Sequence, residues 1–479
     1  MGQEIQKNHF HKQDFGEFQR RLSAETALLA RYFDERAFAA DALTAGFEME
    51  AWLVNEAMRP LPENERFLQI MDSAWLSPEL ARFNIELNGQ PRPLHGDALS
   101  RMQAEFEQLW HCCGVAAQEI KASLMMVGIL PTLQEHEVVL DNMSAMRRYR
   151  ALNEQIRRLR DGRPLRLDIK GREQHLKTWD KDVMLESAAT SFQLHLQVPQ
   201  QQAARAYNAA LVASAPLVAL SANSPYLFGL DLWDETRIPV FEQAVSIHTD
   251  DNHPYERVTF GSGYLRNSLF ECFEENLRHH PVLLPEKLSA DPARLEHLRL
   301  HNGTIWRWNR PLIGFSDDGK PHLRIEHRVI PAGPSIVDSF ANAAMFYGLI
   351  AHWLEDDHFS SSQLKYPLPF ADARANFYAA AQYGLAARIR WFNKQHTDLH
   401  TLWQSALLDQ ARQGLIRLNI QDDDIDRYVE VIAGRLASHR NGTGWQRAFV
   451  AKHGRNMMAL TEAYYQHQAS GLPVHEWSI

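Results

Sequence analysis

The segment Thr44–Val54, TAGFEMEAWLV, places two glutamates in a stretch with the alternation of a β-strand. Successive side chains of a strand point to opposite faces, so Glu48 and Glu50 would share one face and the apolar residues between them the other. Paired carboxylates supply the hard oxygen ligands that divalent cations such as Mg²⁺ take. A half-exposed strand with a solvated polar face fits the same pattern, so this segment alone leaves both interpretations open.

The same arrangement recurs along the chain. Three further alternating segments carry polar side chains of one parity opposite an apolar face: Glu86 in FNIELN (83–88), Gln193 and His195 in SFQLHLQV (191–198), and Arg324, Glu326 and Arg328 in HLRIEHRVI (322–330). If these strands share a sheet, helices cover its apolar face, and its polar face gathers four acids, a histidine and two arginines. Acids without lysines repel one another unless cations neutralise them, which predicts bound metal.

The ligand types narrow the chemistry further. Oxygen-rich ligation favours Mg²⁺ or Mn²⁺ over zinc. Arginines among metal-binding acids indicate a phosphate, because phosphoryl transfer depends on positioning and charge neutralisation. The sequence contains no GxxxxGK[ST] loop, no GxGxxG turn after a strand and no HExxH. Metal and arginines over an open sheet would therefore have to hold a nucleotide.

Composition limits the class of protein and its partners. The chain has 479 residues, 45% apolar and 23% charged, with 59 acidic against 50 basic residues and a net charge of −9. We expect no nucleic acid and no membrane as partner, since no dense basic block occurs. No hydrophobic segment predicts a spanning helix or a secretory signal, so we expect a cytoplasmic protein. The three cysteines are interpreted as packing residues.

Helical and other segments fill the intervals between the strands. Apolar periodicity predicts helices over 14–40, 97–122 and 202–220, a strand over 261–270, and an almost entirely helical chain from 336 to about 471, interrupted near 355–375 and 420–426. We expect residues 14–335 to form the sheet with its covering helices and residues 336–479 to pack on it within the same structural domain. Two arginine-rich pieces, 147–150 and 306–310, fit either an anion-binding group or an ordinary surface.

In these pieces the chain resembles the glutamate-cysteine ligase family, specifically its plant and bacterial branch with the carboxylate-amine ligase relatives, which is related in fold to glutamine synthetase. The resemblance covers roughly residues 40 to 340. It rests on an ordered set: GFEMEAW, IELNGQP, RYRALNEQI, SFQLHLQV, LVALSANSPYLFG, LWDETRIPVF and RIEHRVIPAG. It implies an α+β fold, in which an antiparallel sheet forms an open funnel covered by helices, with a mostly helical C-terminal region.

The resemblance also implies an activity. An ATP- and Mg²⁺-dependent ligase of this kind activates an amino-acid carboxylate, by default the γ-carboxylate of glutamate, as an acyl phosphate and joins it to an amine such as cysteine. The implied metal ligands are Glu48, Glu50, Glu86, His195 and Glu326. The implied phosphate contacts are Arg328 and Arg324, and the substrate contacts are Arg150, Arg237, Arg266 and Gln193.

Two departures affect the substrates rather than the fold. Met49 separates the two acids of the first strand, and IPAGPS follows Arg328 where relatives carry an acidic residue. Two alternatives on the same fold stay open: an ATP-dependent phosphotransferase that needs no amine, and a non-catalytic ligand-binding relative.

Overall fold

The structure, a computed structural model, describes residues 4–7, 9–39, 43–247, 255–288, 291–355 and 368–479. Its centre is an eight-stranded sheet with the strand order β11-β12-β8-β1-β3-β2, in which β4 and β5 also pair with β1. All of these pairings are antiparallel. The strands of the described residues are Thr44–Val54 (β1), Leu76–Pro78 (β2), Asn84–Asn88 (β3), Arg92–Pro93 (β4), Ser123–Met125 (β5), Leu165–Lys170 (β6), His175–Asp180 (β7), Phe192–Val198 (β8), Tyr226–Leu227 (β9), Leu230–Asp231 (β10), Asn309–Phe315 (β11), Pro321–His327 (β12), Arg388–Arg390 (β13) and His396–Asp398 (β14).

Helices surround the sheet and continue to the C-terminus. The α-helices of the described residues are Lys12–Asp34 (α1), Asn64–Met71 (α2), Ala98–Glu119 (α3), Arg147–Leu159 (α4), Gln200–Ser221 (α5), Arg237–Ala244 (α6), Phe270–His279 (α7), Glu296–Asn302 (α8), Ile336–Glu355 (α9), Phe370–Tyr383 (α10), Leu399–Leu402 (α11), Leu408–Arg417 (α12), Asp422–Ser438 (α13), Gly442–His453 (α14) and Met457–Ala469 (α15). A π-helical turn, Trp403–Leu407, joins α11 to α12.

The apolar face of the sheet is built by the predicted alternation in β1. Phe47 lies 5.5 Å from Phe106 of α3, 5.5 Å from Phe192 of β8 and 5.3 Å from Phe340 of α9, measured between ring centroids. Each fully buried aromatic ring of this kind stabilises the fold by roughly 1.5–3 kcal/mol. The alternation therefore fixes which face of β1 is core.

Two buried helices, α5 and α9, contact this core. By length and composition α5 could cross a membrane, but 94% of its apolar window is buried inside the protein, as in a core helix. The hydroxyl of Tyr347 on α9 lies 3.1 Å from the carbonyl oxygen of Gly46 and 3.2 Å from that of His195. One helix thus ties two neighbouring strands together directly behind the polar face.

The C-terminal helices attach to α9 through a buried ion pair. Arg435 of α13 donates from Nη2 to the Asp338 carboxylate at 2.9 Å, and both side chains are almost fully buried. The same Arg435 binds the amide oxygen of Asn342 at 2.6 Å. Removing one partner of a buried pair is costly because the other charge stays unpaired. The pair therefore fixes α13 against the helix that covers the sheet.

Several predicted elements differ from the observed ones. Residues 261–270 form no strand, because the Glu271 carboxylate accepts hydrogen bonds from the loop N–H groups of Arg266 and Asn267 and a helix begins at Phe270. The region after 336 is not purely helical, since β13 and β14 form a hairpin within it. The interruption predicted near 355–375 lies largely outside the described residues. Cys113 and Cys272 are buried as expected, whereas Cys112 is exposed.

Helices α9 and α12 approach closely where glycines face each other. A Cβ atom on Gly414 would stand 1.7 Å from the carbonyl oxygen of Gly348 and 2.9 Å from the backbone nitrogen of His352. No real Cβ contact is that short, so a side chain at this point must push the helices apart.

We expect Gly414→Ala to lower the free energy of unfolding by at least about 1–3 kcal/mol, the cost of overpacking a filled interior. Chemical denaturation measures the change. The matched control is Gly114→Ala in α3, where a Cβ meets nothing within 4 Å. This control should gain up to about 1 kcal/mol from its better helix propensity. Equal stabilities of the two variants would contradict the close approach.

Candidate active site

Strand register brings the predicted polar residues into adjacent rows on one face of the sheet. Across β11, β12, β8 and β1 the first row reads Arg310, Glu326, His195 and Gly46. Two residues along β1, Glu48 stands opposite Gln193 on one side and Asn88 on the other. A further two residues along, Glu50 stands opposite Glu86, which pairs with Ser77 of β2. The alternation of side chains between the two faces is therefore in register from strand to strand across the sheet.

The first group of acids surrounds His195. Its Nε2 lies 3.3 Å from Oε1 of Glu48 and 3.8 Å from Oε1 of Glu326. One donor atom from each of the three residues lies within 4.8 Å of the others, with Glu326 and His195 buried. Neither ring nitrogen of His195 has a hydrogen bond of good geometry to a described residue. Two carboxylates and an imidazole at this spacing fit a divalent cation.

The second group consists of Glu50, Glu79 and Glu86. Their nearest carboxylate oxygens again lie within 4.8 Å of one another. Glu50 is held by the backbone N–H of Ser191 at 2.7 Å and by the side-chain amide of Gln193 at 2.7 Å. By contrast, Oε1 of Glu79 and Oε2 of Glu86 are buried with no hydrogen-bond partner among the described residues. Orphaned buried oxygens need a cation or a proton.

The two groups differ in their electrostatics. Burial, reinforced by the charge of Glu48, raises the pKa of Glu86 to about 8. Burial, and then Glu86 and Glu50, raise the pKa of Glu79 well above its ordinary value. At Glu326 burial acts in the same direction, but Arg310 and Arg328 outweigh it and lower the pKa to about 2. The group around His195 is thus charged, while the Glu50–Glu79–Glu86 group retains protons until a cation replaces them.

Arginines border the first group. Arg310 donates two hydrogen bonds to the Glu326 carboxylate, from Nε to Oε2 at 2.7 Å and from Nη2 to Oε1 at 2.8 Å. Arg328 donates to Oε2 of Glu326 at 3.1 Å and to the side-chain oxygen of Gln193. Arg324 lies on the same face, and its Nε has no described partner. These guanidinium groups form the cationic rim that a phosphate requires.

A cavity of about 330 Å³ lies over this face. It is lined by the carboxylates Glu48, Glu50, Glu79 and Glu326 together with the side chains of Gln193, His195 and the three arginines. The rest of the wall is largely apolar, from Leu80, Leu152, Val183, Phe241 and Ile313 among others. A concave site with convergent charges in an apolar wall is typical of small-molecule binding.

Three predicted substrate contacts lie elsewhere. Arg150 and Arg266 are exposed and do not line the cavity. Arg237 is buried, with Nε 3.0 Å from Oε1 of Glu235 and Nη1 donating to the carbonyl oxygen of Arg328 at 3.2 Å. Arg150 lies outside the cavity because side chains two residues apart on a helix point in different directions, and on α4 it is Arg148 that lines the cavity. Arg237 supports the backbone of Arg328 rather than reaching a ligand.

Sequence reasoning missed several residues of the cavity. Glu79 follows the three-residue strand β2, which is too short to show an alternation. Arg148 and Glu186 stand on a helix and a single helical turn, where strand parity carries no information. A signal was available for Arg148 and Arg310, since the arginine-rich pieces 147–150 and 306–310 were both candidate anion sites. The position of Arg310 opposite Glu326 follows from the hairpin register.

Comparisons with known proteins identify the family and the fold of the chain. A family model described as glutamate-cysteine ligase family 2 matches residues 44–467. No curated protein matches the sequence. Glutamate-cysteine ligase from Francisella tularensis, solved in complex with AMP, is similar with a TM-score of 0.54 and 11% identity, covering 90% of each chain. A bifunctional glutathione synthetase from Pasteurella multocida has a TM-score of 0.47 and 10% identity over 89% of this chain and 52% of its own. The first likeness confirms the expected fold.

The raised pKa of Glu86 gives a pH dependence to the metal-free protein. Between pH 4.5 and about pH 8, Glu86 is protonated in the folded protein and ionised in the unfolded chain. Lowering the pH through this range therefore stabilises the fold as far as this group is concerned. Glu326, with its pKa lowered to about 2, has the opposite effect below pH 4.5. In EDTA we expect the free energy of unfolding to be highest between about pH 2 and about pH 8. Saturating Mg²⁺ should reduce the loss of stability on the alkaline side of this maximum. A maximum above pH 8 would contradict the raised pKa of Glu86.

Glu86→Gln should stabilise the metal-free protein and reduce the stabilisation that Mg²⁺ provides. Without metal, the loss of one charge from the Glu50–Glu79–Glu86 group should stabilise the protein by on the order of 1 kcal/mol at pH 8. With Mg²⁺, the variant should gain less than the wild-type protein, because one ligand is gone. Thermal unfolding with EDTA and with Mg²⁺ measures both effects.

The control for that experiment is Glu25→Gln. Both oxygens of Glu25 are bound, by Nδ1 of His297 at 2.6 Å and the backbone N–H of Leu298 at 2.8 Å, and the residue lies outside the cavity. This variant should lose stability equally with and without Mg²⁺. A Glu86→Gln protein that behaves like this control would rule out a cation site at Glu86.

Proposed function

The chain belongs to glutamate-cysteine ligase family 2, and from this premise we propose that the cavity over its sheet binds Mg²⁺-ATP and an amino-acid carboxylate and forms an acyl phosphate between them. The protein is accordingly an ATP-dependent carboxylate-amine ligase. An amine then displaces the phosphate and leaves an amide. The observation that carries the proposal is the two groups of three candidate metal ligands, five of whose six residues line one cavity beside an arginine rim.

Each group of acids has a separate role in the proposal. Glu48, His195 and Glu326 would hold one Mg²⁺, and Glu50, Glu79 and Glu86 another. Mn²⁺ would fit the same oxygen-rich ligands. When bound, these cations would neutralise the negative charge of the ATP phosphates. The orphaned oxygens of Glu79 and Glu86 and the like charges around them support this assignment.

The arginines act on the transferred group. A carboxylate oxygen of the acid substrate attacks the γ-phosphorus, the bond to the β-phosphate bridge oxygen breaks, and ADP leaves. Arg328 and Arg324 would donate to the oxygens of the phosphoryl group in flight, where charge accumulates. Arg310 is committed to Glu326 by two hydrogen bonds, so it keeps that carboxylate ionised and fixed.

The proposed substrates are glutamate, activated at its γ-carboxylate, and an amine such as cysteine. The family membership supports this pair. Arg148 replaces the predicted Arg150 as the cation for a substrate carboxylate, because it is the arginine of α4 that lines the cavity. Gln193 spans Glu50 and Arg328 by hydrogen bonds, which places its amide between the two acidic groups.

The wild-type protein should form ADP only when Mg²⁺, ATP, an amino acid and an amine are all present. A screen of amino acids and amines for phosphate release tests this requirement and identifies the pair. A stable phosphorylated product without any amine would favour a phosphotransferase. Calorimetric binding of Mg²⁺-ATP without turnover of any pair would favour a non-catalytic relative.

Glu48→Gln should lower turnover at least about a hundredfold, since a neutral amide is a poor metal ligand. Its thermal unfolding should stay cooperative. A matched control is Glu105→Gln on α3, a carboxylate that pairs with Arg92 outside the cavity and should leave turnover unchanged. Full activity of Glu48→Gln would count decisively against the metal assignment.

A further inference from the structure

Glu186 is a carboxylate of the cavity wall that none of the roles above uses. It stands on the helical turn Met184–Ala188, just before β8, and lines the cavity beside the apolar Val183. Within the described residues no hydrogen bond or ion pair reaches its side chain. Glu50 and Glu326 in the same cavity are each held by several donors. Glu186 is thus a half-buried acid of the cavity wall that no hydrogen bond or ion pair from the described residues holds in place.

The backbone around Glu186 is held firmly. The N–H of Val183 donates to Oδ1 of Asn153 at 3.1 Å, and the N–H of Met184 donates to Oδ1 of Asp182 at 3.0 Å. The N–H of Glu186 itself bonds the carbonyl oxygen of Val183 at 3.0 Å. A side chain on such a fixed turn occupies a defined part of the cavity wall.

The surroundings of Glu186 are part charged and part apolar. Burial, and then the charge of Glu50, raise the pKa of Glu186 to about 8, against the opposing effect of the arginines. The titratable groups that face it are Glu50, Glu79, Arg148, Tyr149 and Arg328. Leu80 and Leu152 are apolar residues that line the same cavity. With a pKa of about 8, Glu186 holds a proton in the empty cavity at neutral pH, as Glu86 does, and a cation that binds beside it takes the place of that proton. Apolar side chains of the same cavity are available to whatever carries that cation.

We propose that Glu186 binds the amino group of the amine substrate and accepts its proton, an inference that rests on the proposed ligase function. An ammonium ion supplies the partner that the carboxylate lacks, and a charge-assisted hydrogen bond in a desolvated wall is strong. The apolar residues of the same cavity, Val183 on the turn of Glu186 together with Leu80 and Leu152, are available to the non-polar part of the same molecule. The substrate class is a primary amine with an apolar substituent.

The chemical step balances with no further reactant. The bound ammonium gives one proton to the Glu186 carboxylate and becomes a neutral amine. Its lone pair forms the C–N bond to the acyl carbon, and the C–O bond to phosphate breaks with its electron pair on the phosphate oxygen. The second proton lost from nitrogen leaves with that phosphate. The products are the amide, hydrogen phosphate and a protonated Glu186.

Glu186→Gln tests the inference through two nucleophiles that differ in charge. ADP formation is measured with Mg²⁺-ATP and glutamate, once with cysteine and once with hydroxylamine, which is uncharged at neutral pH and traps the acyl phosphate as a hydroxamate. If the screen yields another acid and amine, that pair replaces glutamate and cysteine. We expect the KM for the amine to rise about 10- to 100-fold, the loss expected for a hydrogen bond to a charged group. The KM for the acid and the rate of hydroxamate formation should change less than about twofold.

Two control variants and one stability measurement separate this role from a structural one. Glu186→Asp retains the charge and should recover part of the amine affinity. Glu173→Gln, at an exposed glutamate outside the cavity, should match the wild-type protein. The thermal unfolding midpoint of Glu186→Gln should not fall, because no hydrogen bond is lost.

The outcomes distinguish the inference from its premise. If the wild-type protein forms neither amide nor hydroxamate with any amino acid, the proposed function fails and the inference fails with it. If the wild-type protein is active and Glu186→Gln leaves the KM for the amine unchanged, only the inference fails. Equal losses with the amine and with hydroxylamine, or a rise in the KM for the acid alone, also overturn it.

Discussion

Repulsion between carboxylates buried on one face of a sheet is the constraint on which the rest of this structure depends. Glu50, Glu79 and Glu86 place oxygens within 4.8 Å of one another, where water screens their charges poorly. Three ionised acids in this position oppose folding. The fold tolerates them because protons or cations reduce the charge, and this requirement links stability to ligand binding.

In the neighbouring group, Glu48, His195 and Glu326, the buried negative charge is neutralised in a different way. Around His195 the negative charge is balanced by the protein itself, through the bidentate Arg310 and the Arg328 bond to Glu326. One half of the site therefore carries permanent charge, with the pKa of Glu326 at about 2, while the other half exchanges protons near pH 8. A cation that enters the second half replaces protons, whereas a cation at the first half competes with arginines already in place.

Such a face needs a rigid support, and the opposite side of the sheet provides one. The aromatic cluster around Phe47 fills the core, and Tyr347 binds the carbonyls of two adjacent strands behind the site. The buried Arg435–Asp338 pair then fixes α13 on the same helix, α9. Precise spacing of the acids is thus maintained by aromatic packing, by the Tyr347 hydrogen bonds and by buried ion pairs such as Arg435–Asp338.

The sequence by itself determined four strands of the sheet and the polar face of each, because a period of two assigns Glu48 and Glu50, Glu86, His195 and Glu326 to the polar faces of their strands without knowledge of the pairing. It also indicated the family, through an ordered series of short segments. Only the tertiary structure decided which strands adjoin, and so which residues form each group of three candidate ligands. It also places Arg148 rather than Arg150 in the cavity wall, buries Arg237 against the backbone of Arg328, and adds Glu79 and Glu186 to the residues that line the cavity. Periodicity describes the direction of a side chain within one element, whereas short strands and single turns have no period, and their positions depend on contacts between residues far apart in the chain.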